Sequence, residues 1–192
     1  PDVEALRKAF TGHGFAFSYF DTKEQAVAYL AQACAGKRVG FGGSMTLEEM
    51  GAYEALSEQA DVHWHWKGEP PCVDAEVFLT SANGLAATGE VVNIDGASNR
   101  VAASLYGAKT CFQVCGLNKL APTLEAAVER ARNIAAPRNA QRLGRKTPCV
   151  MDGKCHDCRS PERICCSLVV HLAPPLSFER YEIVLIGEIL GY

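Results

Sequence analysis

The chain has 192 residues, of which 48% are hydrophobic and 21% charged, with a formal net charge of −3. This length suits one well-buried domain, so we expect a single domain over residues 1–192. The small net negative charge argues against electrostatic binding to the phosphate backbone of a nucleic acid, so we expect no nucleic-acid partner. No apolar run approaches the roughly 20 residues of a membrane span, and no signal-peptide pattern opens the chain, so we expect no membrane partner.

Cysteine usage predicts the compartment. The sequence contains nine cysteines, and five of them crowd into residues 149–166. A secreted disulfide scaffold would be smaller and more evenly studded with cysteines. In the cytosol thiols stay reduced, and a dense group of them functions as metal ligands or in redox chemistry. We therefore expect a cytoplasmic protein.

Helical and extended patterns alternate along the chain. A capping box at Thr22 and Gln25 opens one helix, a second box at Thr46 and Glu49 opens another, and Pro137 should end a third. Helices are predicted over residues 3–10, 22–34, 46–56, 98–106 and 124–135, and strands over 15–19, 38–41, 62–66, 77–79, 110–115 and 180–186. Strands that are apolar on both faces and separated by helices indicate an α/β fold with a mostly parallel sheet and flanking helices.

A glycine-rich turn joins a predicted strand to a predicted helix. It carries two glycines and two hydroxyl side chains: Gly42, Gly43, Ser44 and Thr46. Glycines let the backbone pass close to a ligand, and the free N–H groups at a helix start favour an anion. A tight turn with ordinary caps has the same composition, and both interpretations stay open.

Polar side chains follow three predicted strands. They are Asn83 after one strand, Asn93, Asp95, Asn99 and Arg100 around the start of a helix, and Asn118 and Lys119 after another strand. Asn and Asp are common in turns, but turns do not require arginine. Because open α/β sheets bind ligands beyond the carboxyl ends of their strands, we expect one pocket for a small molecule.

The cysteine-rich loop, residues 147–166, has ligand spacing. Its pattern is C-x5-C-x2-C-x6-C at Cys149, Cys155, Cys158 and Cys165, with Cys166 to spare. Four thiolates in one loop suit a [4Fe–4S] cluster or a tetrahedral zinc, while unligated or redox-active thiols remain a third interpretation. We predict that the four bind one centre, and that this loop and the polar strand ends form a single site.

Several long motifs together are characteristic of one family. The segments 40–51, 89–103, 133–140 and 147–165, and the closing segment 184–192, resemble the LUD (lactate-utilisation) domain family. The resemblance covers nearly the whole chain, as one LUD-like domain. It is strongest to the short stand-alone members that end in a cysteine segment.

The resemblance implies a fold similar to ribose-5-phosphate isomerase and the coenzyme A transferases. The loop at Gly42–Thr46 is similar to the phosphate-cradling loop of those isomerases. Asn83 stands where methylthioribose-phosphate isomerase has its catalytic aspartate, which argues against aldose–ketose isomerisation. Characterised relatives take part in lactate oxidation with iron–sulfur partners.

Two functions of different classes follow. The first is binding of a small organic acid or phosphorylated metabolite beside an iron–sulfur cluster or metal, in lactate-type oxidation or electron transfer. A second copy of the chain or an iron–sulfur protein would suit it as a partner. The alternative is a transferase or isomerase-like enzyme of the coenzyme A transferase fold with a structural zinc. Its available carboxylates are Glu48, Glu90 and Asp95.

Overall fold

Two β-sheets frame the molecule in the computed structural model, which describes residues 1–70, 72 and 74–192. The larger sheet has six strands in the order β1-β10-β7-β4-β2-β3, and every neighbouring pair is parallel. Its strands are β1 (Ala16–Phe20), β2 (Arg38–Phe41), β3 (Asp61–Trp64), β4 (Val77–Thr80), β7 (Thr110–Gly116) and β10 (Arg180–Ile186). The parallel sheet predicted from the sequence is therefore confirmed.

The smaller sheet was not expected from the sequence. Its order is β8-β5-β6-β9, with both parallel and antiparallel pairs. Its strands are β5 (Gly84–Ala86), β6 (Val91–Asp95), β8 (Leu120–Ala121) and β9 (Ser167–His171). β5 and β8 have only three and two residues, and β6 pairs with β9 from a distant part of the chain, so this sheet depends on tertiary packing rather than on local sequence.

Helices cover both sheets. They are α1 (Val3–Gly12), α2 (Lys23–Cys34), α3 (Met45–Glu49), α4 (Ala52–Ser57), α5 (Asn99–Leu105), α6 (Leu124–Arg130), α7 (Ala136–Arg142) and α8 (Cys149–Asp152). The predicted cap at Thr22 is confirmed, because its side chain accepts a hydrogen bond from the Gln25 N–H. None of these helices is both long and apolar enough to cross a membrane.

The core lies on both faces of the larger sheet. In β10, Val184 and Ile186 belong to the cluster that includes α2 and α4, whereas Ile183 and Leu185 belong to the cluster that includes α1. All four side chains have no exposed surface. Successive side chains of a strand point to opposite faces, so a strand covered on both sides needs the unbroken apolar run seen here.

The second predicted capping box was misplaced by two residues. Ser44, rather than Thr46, caps α3, and its Oγ accepts a hydrogen bond from the Leu47 N–H at 3.2 Å. The helix predicted to run on toward Leu56 is broken at Gly51, whose φ of 66° is left-handed. A residue in that conformation ends one helix, and α4 begins after it.

Pro137 was wrongly expected to end a helix. A π-helical turn over Ala131–Ala135 follows α6, and α7 starts with Pro137 in its first turn. Proline lacks an N–H, which is tolerated in a first turn because that group has no partner there. The chain therefore stays helical as far as Arg142.

Gly84 provides a test of close packing between α6 and the smaller sheet. A Cβ at this position would lie 2.6 Å from the backbone oxygen of Ala127, which cannot move without shifting α6. We expect Gly84→Ala to lower the free energy of unfolding by about 1–3 kcal/mol in urea titrations. Gly12→Ala is the control, because a Cβ there meets nothing within 4 Å. Equal stability of the two variants would contradict this packing.

Candidate functional site

A cavity of about 580 Å³ opens beyond the carboxyl ends of β2, β4 and β7. Eight of the eleven residues predicted for the pocket line it: Gly43, Ser44, Thr46, Asn83, Asp95, Asn99, Arg100 and Lys119. They lie in the segments that follow β2, β4 and β7 of the larger sheet, at the end of β6, and at the start of α5. The ends of neighbouring parallel strands meet at one edge, which explains why residues so far apart in sequence come together.

The other three predicted residues are not among those that line the cavity. Gly42 passes so close to Arg100 that a Cβ there would lie 2.9 Å from its Cγ. Asn93 is buried and accepts a hydrogen bond from Arg100 through its Oδ1. Asn118 binds the closing segment, donating to the Gly191 oxygen and accepting from the Leu190 N–H, both at 3.1 Å. Gly42 and Asn93 thus contact Arg100, which lines the cavity. Asn118 holds the segment that leads to Tyr192, which also lines it.

The glycine-rich turn uses its hydroxyl groups within the chain. Ser44 caps α3, and the buried Thr46 Oγ1 donates to the Leu190 oxygen at 3.3 Å. Gly43 is held against the indole of Trp66, where a Cβ would lie 3.0 Å from Nε1. Both hydroxyls therefore have partners within the chain, Ser44 as a helix cap and Thr46 at Leu190, and the turn contributes a close-packed wall to the cavity.

Arg100 joins the two sheets at the cavity floor. Its Nη1 donates to the Ser81 oxygen at 2.7 Å and to Asn93 Oδ1, and its Nη2 donates to the Ile94 oxygen at 2.8 Å. Nη2 also donates to Asn83 Oδ1 at 3.0 Å. Burial lowers the pKa of this guanidinium, while Asp95, 3.6 Å from its Nε, opposes that shift. With its N–H groups directed at protein oxygens, Arg100 organises the cavity floor.

The hydrogen bonds of Asn83 fix the orientation of its side-chain amide. Its Oδ1 receives the Ile94 N–H at 2.8 Å as well as the Arg100 guanidinium. Both partners are donors, so the receiving atom must be the amide oxygen. Among the described residues the Nδ2 group has no acceptor, and Asn83 lines the cavity. Its NH₂ is therefore available to a ligand.

Lys119 is a buried amine in the cavity wall. Only 3% of the residue is exposed, and its Nζ donates to the Ala82 oxygen at 3.2 Å and to the Tyr192 oxygen at 2.7 Å. Burial, together with the nearby Arg130 and Arg100 cations, lowers the pKa of this amine to about 8. A buried cation without a side-chain carboxylate hydrogen-bonded to it favours an anionic ligand.

Positive charge dominates the cavity wall. Its cationic side chains are Arg100, Lys119, Arg142, Arg145 and Arg163, and its carboxylates are Asp95 and Glu162. Asp95 is already paired with Arg100, and Glu162 accepts a hydrogen bond from the Lys146 N–H at 2.7 Å. The remaining field attracts small anions into a partly enclosed space.

Several lining residues were missed in the sequence. Beyond β3 the chain turns into a 3₁₀ segment over His65–Lys67, which brings His65 and Trp66 to the cavity. Arg142 stacks over the Trp66 ring at 4.9 Å, and its Nε donates to the Tyr192 Oη at 2.6 Å. In the sequence, the basic residues Arg142 and Arg145, at and just beyond the end of α7, were the available signal for a positively charged wall. Nothing local in the sequence connects them with Trp66 or Tyr192.

The cysteine-rich loop forms one wall of the cavity. Its residues Pro161, Glu162, Arg163 and Ile164 line the cavity. The Arg163 side chain donates to the Cys165 oxygen at 3.0 Å and to the Cys158 oxygen at 2.9 Å. The backbone of the loop is also anchored to β6, since the Cys166 N–H donates to the Asp95 oxygen at 2.9 Å. The loop and the polar strand ends therefore adjoin the same space.

The four predicted ligand thiols are free and partly exposed. Burial raises the pKa of the Cys165 thiol, the nearby Cys155 and Cys158 raise it further, and Arg163 opposes the shift. Cys149 instead contacts the Thr147 hydroxyl at 3.2 Å. Within residues 1–70, 72 and 74–192, no three His, Cys, Asp or Glu side chains converge as a metal-holding group. The donor chemistry suits a soft metal or a cluster, although the four thiols are not arranged as a completed shell.

Comparison with known proteins identifies the family. The model of the LUD domain matches residues 3–178. The chain belongs to the LUD domain family. A crystal structure of a DUF162 family protein from Deinococcus radiodurans is similar in fold, with a TM-score of 0.57 and 16% sequence identity over 96% of this chain and 95% of that chain. No curated protein matches at a significant level.

The role of Arg100 in this LUD domain can be tested by a conservative change. Lysine has three N–H donors and no planar fork, so Arg100→Lys should leave several of the surrounding oxygens unpaired. We expect the free energy of unfolding to fall by about 2–4 kcal/mol in urea titrations. Arg138→Lys, at an exposed position of α7, is the control and should change it little. A similar small effect at both positions would remove Arg100 from this role.

Proposed function

We propose that this LUD-domain protein binds a small organic acid or phosphorylated metabolite in the cavity, and serves lactate-type oxidation or electron transfer. The excess of cationic side chains around the cavity carries the proposal. A volume of about 580 Å³ lies within the usual range of small-molecule clefts, roughly 300–1,000 Å³. Family membership supports the metabolic theme.

Two donors are placed to recognise the anion. Asn83 presents an NH₂ group whose direction is set by the bonds to its oxygen, and Lys119 presents an amine held by two backbone oxygens. Donors that are already oriented lose little entropy when a ligand arrives. Among the described residues, neither side chain has a side-chain carboxylate hydrogen-bonded to it that a ligand would have to displace.

We further propose that Cys149, Cys155, Cys158 and Cys165 hold an iron–sulfur cluster, with zinc as the alternative occupant. A bound cluster would supply one-electron transfer. The chain contributes thiolates, and Arg163 and Arg132 place positive charge beside them. Arg163 Nε binds the Cys165 oxygen, and Arg132 Nη2 lies 3.9 Å from the Cys155 sulfur. The same loop lines the cavity through its residues 161–164, although none of the four cysteines is among the lining residues.

The transferase-like alternative has less support in the cavity. Of its three carboxylates, Glu48 pairs with Lys67 and Glu90 accepts a hydrogen bond from Thr88. Neither lines the cavity. Asp95 does, but it is paired with Arg100 and accepts the Val101 N–H at 3.2 Å. A carboxylate nucleophile would need an oxygen that is not already bound by a cation or a backbone N–H group.

Anion binding can be tested at Asn83. Asn83→Asp keeps an oxygen for Arg100 and replaces the free NH₂ donor by a charged oxygen. We expect the affinity for lactate or inorganic phosphate, measured by calorimetry, to fall about 10- to 100-fold through the lost donor and added repulsion. Gln32→Glu adds the same charge on an exposed part of α2 and should leave the affinity unchanged. Equal affinity of both variants would exclude Asn83 from recognition.

The metal centre can be tested by single Cys→Ser variants at the four positions. After purification without air, the wild-type chain should contain iron and sulfide and be brown, whereas a zinc protein would be colourless. Each variant should lose most of the metal and some thermal stability, because binding at such sites is coupled to folding. Cys72→Ser, outside the loop, is the control. Full retention by one variant removes that residue and makes Cys166 the next candidate.

A further inference from the structure

Lys119 has a chemical capacity that anion binding does not use. Its Nζ makes two hydrogen bonds, to the Ala82 and Tyr192 oxygens, and the structure gives it no third acceptor within the described residues. A charged ammonium has three N–H donors to satisfy, whereas a neutral amine has two donors and a lone pair. The two oxygens therefore leave one position of the nitrogen without a protein partner: a third N–H in the ammonium, or the lone pair in the neutral amine. Since Lys119 lines the cavity, the remaining position is open to a ligand.

The surroundings favour the neutral form. Four ionisable side chains from different parts of the fold act on the amine: the Arg130 and Arg100 cations, the Cys115 thiol and the Glu49 carboxylate. Burial is the largest effect, the two cations act with it, and Cys115 and Glu49 oppose it, leaving a pKa of about 8. Desolvated lysines beside other cations are the ones that act as amine nucleophiles.

Lys119 and Asn83 are held side by side. The Ala82 oxygen that accepts from Nζ belongs to the peptide bond joining Ala82 to Asn83. The next carbonyl, that of Asn83, is held by Arg130 Nη1. A nucleophilic amine thus neighbours an oriented NH₂ donor. A molecule with a carboxylate directly beside a carbonyl carbon could use both groups at once.

We propose that Lys119 forms a reversible imine with a 2-oxo acid bound in the cavity. The amine nitrogen attacks the carbonyl carbon, a C=N bond replaces the C=O bond, and the oxygen leaves as water with the two amine hydrogens. No oxidant or reductant is needed. The carboxylate remains with the NH₂ group of Asn83, and Arg100 is a positioning residue because it fixes that amide. The inference rests on the proposed binding of organic acids and adds a covalent step to it.

Reductive trapping tests the imine in the full-length chain. Pyruvate and cyanoborohydride should give a stable adduct on Lys119, located by peptide mass spectrometry, and the rate of trapping should rise as the pH passes through about 8. Lactate has no carbonyl group beside its carboxylate and should give none. Lys119→Arg keeps a cation but cannot form an imine, so it should lose the adduct. Asn83→Asp keeps the amine and should trap pyruvate about 10- to 100-fold more slowly.

The outcomes separate this inference from the function on which it rests. An adduct confined to Lys119 in the wild-type chain supports the imine. Calorimetric binding of pyruvate and lactate without an adduct overturns the imine and leaves organic-acid binding intact. No binding of either acid overturns both. Equal labelling of Lys119 and the exposed Lys109 also overturns the inference, because selective chemistry requires the cavity. Circular dichroism of Lys119→Arg checks that the loss is not due to unfolding.

Discussion

The hydrogen bonds of Arg100 are the constraint on which the cavity depends. One guanidinium joins the end of β4, through Ser81 and Asn83, to β6, through Asn93 and Ile94. Taking such a charge out of water costs several kcal/mol unless every N–H finds an oxygen. The end of β4 and β6 must therefore stay in contact for the guanidinium to keep its hydrogen bonds. The same bonds fix the orientation of the Asn83 amide, whose NH₂ group has no acceptor among the described residues.

The closing segment of the chain completes the wall. Asn118 fixes it at Leu190 and Gly191, the Glu49 carboxylate accepts the Gly191 N–H at 2.7 Å, and Tyr192 then reaches Lys119 and Arg142. The buried Lys119 is thus bound by main-chain oxygens of Ala82 and Tyr192 rather than by a side-chain carboxylate. The pKa of this amine is about 8, so its charged and neutral forms are both populated near that pH. This property suits an anion-binding or nucleophilic group better than a purely structural one.

The cysteine-rich loop also contributes to the wall of the cavity. Its residues 161–164 line the cavity. Among them, Arg163 donates hydrogen bonds to the backbone oxygens of Cys165 and Cys158. Gly96 permits the close approach, because a Cβ there would lie 2.9 Å from the Ile164 oxygen. Residues 161–164 are therefore the part of the cysteine-rich loop that adjoins the cavity.

The α/β class, the larger parallel sheet and eight of the residues that line the cavity could be predicted from the sequence, because apolar strands and polar residues at strand ends carry a local signal. The sequence could not place Trp66, Arg142 or Tyr192, which meet only through tertiary contacts. The sequence does not show the smaller sheet either, because that sheet pairs segments far apart in the chain, such as β6 with β9. The structure adds that Ser44 caps a helix, that the N–H groups of Arg100 are bound by protein oxygens, and that the NH₂ group of Asn83 has no acceptor among the described residues. The last two features depend on hydrogen-bond partners that are not neighbours in sequence, which local patterns do not report.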